Sequence, residues 1–301
     1  MPSLDINDTT LHYEDEGNGP ALLFLHGWGT SGRTWCAQLP DFTRDHRVVT
    51  VDWRGCGQSD RPARGNTTAG VVSDLVALIG ALRLDRPVVI GSSIGGVFAT
   101  ELGLRRPELI GGVVSVGAPG YWPSTETQAE LVAGLRRDRA GTVAGWVPGW
   151  YAPGTAPALI DWTVRQILDS GVYIDEHQAG AESYDPRPAL PGLQVPIHYL
   201  HGELDTAIPL EVPRTCAALT PGAGVSVIAG AGHMPHQELP DRFNAALRTV
   251  LARMAPAAPA DGTIRPRRCS PSRRTPGACD RPAGRVRGSA RSAHSGCRRA
   301  A

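Results

Sequence analysis

The chain contains no lysine; all 30 of its basic residues are arginine. It also lacks any apolar run near the ~18–20 residues that a membrane-spanning helix needs. Cysteine is sparse, with Cys36, Cys56 and Cys216 scattered through the first 254 residues and Cys269, Cys279 and Cys297 near the end. None of the six forms a C-x-x-C pair or stands at zinc-ligand spacing from histidine, so neither a structural metal nor a disulfide framework is expected. The opening segment "MPSLDINDTTLHYEDEG" is acidic and polar, without the positive start and apolar centre of a secretory leader. A reduced, cytoplasmic setting is the expectation.

Charge is scarce only in the sum. The formal net charge is +1, yet residues 255–301 hold 11 arginines and two acids, a net +9, while residues 1–254 carry −8. An acidic body disfavours nucleic acid as a partner of the folded part. The basic segment has no hydrophobic periodicity and almost no large apolar side chain, so it is expected to be disordered. It reads either as an arm for nucleic acid or a membrane surface, or as read-through of a GC-rich gene without a selected role. The second is preferred because no aromatic or aliphatic anchor accompanies the charge.

What is present is an alternation of strands and helices. Residues 3–6 and 9–14 read as two strands around a turn. Continuous apolar runs at 21–27, 47–52, 87–91, 112–117, 196–202 and 225–230 suit strands buried on both faces. Helical spacing appears at 69–83, 95–105 and 240–253. A mostly parallel α/β sheet with helices on both faces follows. The alternation stops between 120 and 190, where eight of the chain's seventeen aromatics fall. That density predicts a small helical cap whose aromatics pack its own core and line the crevice beneath it. The expected organisation is a core of 1–119 and 191–254, a cap of 120–190 and the tail 255–301.

The chemistry centres on "VVIGSSIGG". Only Ser93, not Ser92, lies at the middle of a G-x-S-x-G, directly after a buried strand and before a helix. A sharp strand-to-helix turn lifts such a hydroxyl clear of the sheet. A serine nucleophile needs a base and the base needs an orienting carboxylate. His233, in the Gly-rich loop "AGAGHMPHQELP", is preferred over His236, which falls in the first turn of the next helix. Asp205, beyond the strand "YLHG", is preferred over the nearby Glu203. The loop "VGAPG" at 116–120, the other usual place for the acid, has no carboxylate. The backbone N–H groups of Trp28 and Ile94 are placed to form an oxyanion hole. His26 is expected to be a structural hydrogen-bonder.

With these residues in view, "HGWG" (26–29), "DWRGCGQSD" (52–60), "GSSIGG" (91–96), "GELD" (202–205) and "GHMP" around His233 make residues 3–254 resemble the α/β-hydrolase superfamily. The resemblance implies Ser93 as nucleophile, His233 as base, Asp205 as acid, no cofactor, and a structural role for Asp52 and Arg54 in a turn. Serine at 93 argues against the aspartate-dependent dehalogenases and epoxide hydrolases of that superfamily. The leading expectation is hydrolysis of a carboxylic ester or lactone of a small to medium hydrophobic molecule, with Trp122, Trp146, Trp150 and Trp162 of the cap contacting it. C–C bond hydrolysis, or perhydrolysis of the kind associated with cofactor-free haloperoxidases, is the alternative. A hydrolase-fold ligand-binding protein with little turnover is a further one.

Overall fold

The computed structural model describes residues 2–122, 125–181 and 183–254. The expected disorder of 255–301, and the three cysteines within it, lie outside the described residues. Eight strands form one sheet: β1 (Ser3–Ile6), β2 (Thr9–Gly17), β3 (Ala21–Leu25), β4 (Arg47–Val51), β5 (Val88–Ser92), β6 (Gly112–Val116), β7 (Ile197–Gly202) and β8 (Gly224–Ile228). Their order is β1-β2-β4-β3-β5-β6-β7-β8. β1 and β2 pair antiparallel, as do β2 and β4; every later pairing is parallel.

The strands are apolar on both faces because helices cover both. In β3, Leu23 and Leu25 belong to the core that includes Leu75, Leu78, Phe98 and Leu102. Those four residues come from α2 (Thr68–Ala81) and α3 (Ile94–Arg105), after the short α1 (Leu39–Phe42). Leu22 and Phe24 turn the other way, into a core with Trp35, Phe42, Phe243 and Leu247. Consecutive side chains of a strand point to opposite faces, so an unbroken apolar run is what a sheet buried on both sides requires.

Among the described residues four α-helices lie between β6 and β7: α4 (Thr125–Arg137), α5 (Arg139–Trp146), α6 (Pro157–Asp169) and α7 (Glu176–Ala181). Arg139 ties this insertion together by donating to the Ile167 carbonyl at 3.0 Å and to Ser170 Oγ at 3.0 Å, and by pairing with Asp175. The described residues close with α8 (Glu211–Leu219), α9 (Pro235–Glu238) and α10 (Pro240–Met254). Among the described residues no helix is long and apolar enough to cross a membrane.

The strand order reverses at β3, which has β4 on one side and β5 on the other. The loops after β3 and β5 therefore leave the carboxyl edge side by side, and in such sheets ligands bind at this point. The turn after β4 is braced from within. Asp52 accepts from the Gly32 N–H at 2.6 Å and the Gln58 N–H at 2.8 Å. Arg54 reaches further than its own turn, pairing with Asp74 on α2 and with Asp8.

Candidate active site

Ser93 stands alone between the end of β5 and the start of α3. Its backbone is at φ 52°, ψ −123°, a conformation that L residues seldom adopt. Its own N–H donates to the Val116 carbonyl at 2.8 Å, which anchors the turn to β6. The neighbouring glycines are required by space. A Cβ on Gly95 would stand 2.6 Å from the Leu25 carbonyl oxygen and 2.7 Å from that of His26, and one on Gly91 would collide with the Gly95 carbonyl. Ser92 is wholly buried, whereas Ser93 is partly open and lines a cavity.

Two loops bring partners to that hydroxyl. His233, after β8, holds Nε2 at 3.1 Å from Ser93 Oγ. Its Nδ1 lies 2.8 Å from Asp205 Oδ2, in the loop after β7. The other Asp205 oxygen accepts the N–H groups of Ala207 and Ile208, each at 2.9 Å. Burial pushes the Asp205 carboxyl up, but the charge and hydrogen bond of His233, the nearby His201 and the Ile208 N–H outweigh it. The carboxyl is held below its ordinary range. An ionised Asp205 requires the proton on His233 Nδ1, which leaves Nε2 to accept from the serine. His236 is three residues further on but belongs elsewhere: it is fully buried and stacked on Trp35 at 4.2 Å. Glu203 is exposed and accepts only from the Gly230 N–H at 3.0 Å.

The "HGWG" loop runs beside the serine: a Cβ on Gly27 would lie 3.6 Å from the Ser93 Cβ. Trp28 and Ile94 line the same cavity as Ser93. Ile94 opens α3, so its N–H has no intrahelical acceptor. His26 supports this loop from behind. Its Nδ1 lies 2.8 Å from the Gly27 carbonyl, Nε2 accepts from the Trp53 N–H, and its ring stacks on that of Trp53. Burial lowers its pKa to about 4, consistent with a neutral structural residue.

The cavity has a volume of about 370 Å3. Three of the four cap tryptophans singled out in the sequence, Trp122, Trp146 and Trp150, line it, and so does Trp28. Trp146 stands edge-on to Trp150 at 5.1 Å and to Trp28 at 6.2 Å. Trp162, on α6, is not among the lining residues. Aromatic density marked the segment; it could not say which side of a helix faces the crevice.

Three contacts around His233 and Asp205 were not anticipated in the sequence. The Trp150 carbonyl accepts the backbone N–H of His233 at 2.6 Å. Buried His201 places Nε2 2.9 Å from the Ile208 carbonyl and 3.4 Å from Asp205 Oδ2. Glu238 accepts from the backbone on both sides of His233. The first depends on a main-chain atom and carries no sequence signal. Glu238 had one, its place as the carboxylate five residues after His233 in "GHMPHQE".

Residues 22–246 match the profile of the Alpha/beta hydrolase family. The chain belongs to that family. A pimeloyl-[acyl-carrier protein] methyl ester esterase of Edwardsiella ictaluri is 27% identical over 239 residues, covering 75% of this chain and 91% of the relative. Among solved structures, the enol-lactonase from Burkholderia xenovorans LB400 superposes with a TM-score of 0.76 at 25% identity, over 83% of this chain and 100% of the other. A bromoperoxidase from Bacillus anthracis gives the same score and identity over 81% and 96%.

Proposed function

We propose that the protein is a serine hydrolase that cleaves a carboxylic ester or lactone of a small to medium hydrophobic molecule. The observation that carries this reading is the continuous contact from Ser93 Oγ through His233 to Asp205, at 3.1 and 2.8 Å. Ser93 Oγ attacks the carbonyl carbon as its proton passes to His233 Nε2. Asp205 keeps the imidazole in the required tautomer and stabilises the imidazolium. Charge then develops on the carbonyl oxygen, and the N–H groups of Trp28 and Ile94, two residues that line the cavity beside Ser93, serve as its oxyanion hole. One such donor lowers the barrier by about 2.7–4 kcal/mol. His233 returns the proton to the departing alkoxide as the ester C–O bond breaks, leaving an acyl group on Ser93. Water gives a proton to His233 as its oxygen attacks the acyl carbon, and His233 passes that proton to Ser93 Oγ as the bond from the acyl carbon to Oγ breaks and the acid leaves.

The aromatic lining supports a hydrophobic acyl or alcohol group, and the esterase and enol-lactonase likenesses support the bond type. Residues 120–190 act as the cap that shapes the cavity. A second reading, peracid formation with hydrogen peroxide in place of water, draws on the bromoperoxidase likeness. A p-nitrophenyl ester chain-length series tests the first reading, and adding peroxide while following peracid tests the second. Absence of ester turnover across the series would contradict both and favour a ligand-binding protein.

A further inference from the structure

The base of the triad is held by its main chain, and one carboxylate organises that main chain. Glu238 ends α9, five residues after His233. Its Oε1 accepts the N–H groups of Gly232 and Met234, at 3.1 and 3.0 Å. These are the two residues that flank His233. Its Oε2 accepts from the Gly232 N–H at 3.1 Å, the Ala152 N–H at 2.7 Å and the Thr155 hydroxyl at 3.4 Å. His233 spends its own N–H on the Trp150 carbonyl, and Tyr151 OH donates to Gln237 Oε1 at 2.9 Å. The segment 150–155 of the insertion and the loop 232–238 are thus laced together around the base, with Glu238 at the crossing.

We infer that Glu238 is a positioning residue for His233, fixing the distance from Nε2 to Ser93 Oγ by clamping the backbone on either side of the imidazole. A carboxylate suits this place because every group facing it is a donor; an amide would turn two of its own N–H bonds toward some of them. Bonds to an ionised acceptor are also the shorter and stronger kind. Glu238 is not among the residues that line the cavity, and its hydrogen bonds go to neither Ser93 nor the His233 ring, so its effect passes through the backbone of His233. The cap therefore serves the reaction as well as the choice of substrate, since residues 150–155 form half of the clamp.

The inference rests on the triad reading above and is tested apart from it. Glu238→Gln is assayed with a p-nitrophenyl ester after titrating active sites with a fluorophosphonate, so that kcat is expressed per reactive Ser93. Displacement of a catalytic group by about 1 Å costs on the order of 100-fold; kcat per site is expected to fall about 10- to 100-fold, with KM within about twofold. If Gln at 238 prevents folding, Glu238→Asp, which retains the charge but draws the carboxylate back by one methylene, carries the same expectation. An unchanged kcat per site, or failure of both variants to fold, assigns Glu238 to stability alone and overturns the inference. Retained turnover in Ser93→Ala would instead defeat the triad reading, whatever Glu238 does.

Discussion

The imidazole of His233 and the indole of Trp150 lie 5.7 Å apart, and the same two residues share a main-chain hydrogen bond of 2.6 Å from the His233 N–H to the Trp150 carbonyl. One residue of the insertion thus meets His233 twice, once through a side chain that can be varied and once through a backbone that cannot. Trimming Trp150→Ala removes cavity wall while leaving the main-chain bond in place. The loss of hydrophobic contact should amount to about 1–3 kcal/mol and fall unequally on different acyl lengths. Comparison of kcat/KM for short and long p-nitrophenyl esters should show a changed ratio. Trp162→Ala, outside the cavity, should leave that ratio as it is.

The acid is tested by a paired substitution. Asp205→Asn removes the acceptor for His233 Nδ1, and loss of the equivalent carboxylate in serine triads typically lowers kcat by ~10⁴. Glu203→Gln disturbs only the bond from the Gly230 N–H and should alter kcat less than about twofold. Steady-state kinetics of the two purified variants distinguish them; equal activities would move the acid away from 205.

The glycine after β6 guards the His–Asp contact. Gly117 has φ +54°, and a Cβ there would stand 2.9 Å from the His233 carbonyl oxygen and 3.4 Å from its Nδ1. Gly117→Ala should therefore lower kcat by an order of magnitude or more, through both backbone strain and displacement of the imidazole. A crystal structure of the variant would show the longer Nε2–Oγ distance.

Three buried histidines make stability depend on pH. Burial lowers the pKa of His26 to about 4 and those of His177 and His236 to about 3, from an ordinary 6.5. Between those limits the unfolded chain takes up protons that the folded chain refuses, so stability is greatest above pH 6.5 and falls as the pH is lowered. Each histidine contributes up to about 1.4 kcal/mol per pH unit in that window. Melting temperatures should hold from pH 8 to about pH 6.5 and decline from there to pH 4. In His236→Phe, which keeps an aromatic ring between Trp35 and Phe243, the decline should be shallower.

Much of this arrangement was legible because it rests on local rules. Parallel strands buried on both faces announce themselves as unbroken apolar runs, and β3 to β8 fell where those runs predicted them, within a residue or two at either end. The turn around Ser93 carries its own signature, because only glycine fits at 91 and 95. The loops holding Asp205 and His233 were identifiable because each follows a strand. What escaped depends on approaches between distant segments. Nothing within 150–155 states that its carbonyl will meet His233 or that its N–H will meet Glu238. The sidedness of α6, which turns Trp162 away from the cavity, is likewise decided by packing rather than by composition.

The proposed reaction turns on Ser93, activated by His233, as the nucleophile. The most direct measurement is reaction with a fluorophosphonate, followed by peptide mapping and by ester turnover in Ser93→Ala and Ser92→Ala. A single adduct on Ser93 is expected, with turnover in Ser93→Ala reduced to the residual that binding and the oxyanion hole provide, ~10³–10⁴-fold over water, and most activity retained in Ser92→Ala. An adduct on Ser92, or an active Ser93→Ala enzyme, would contradict it.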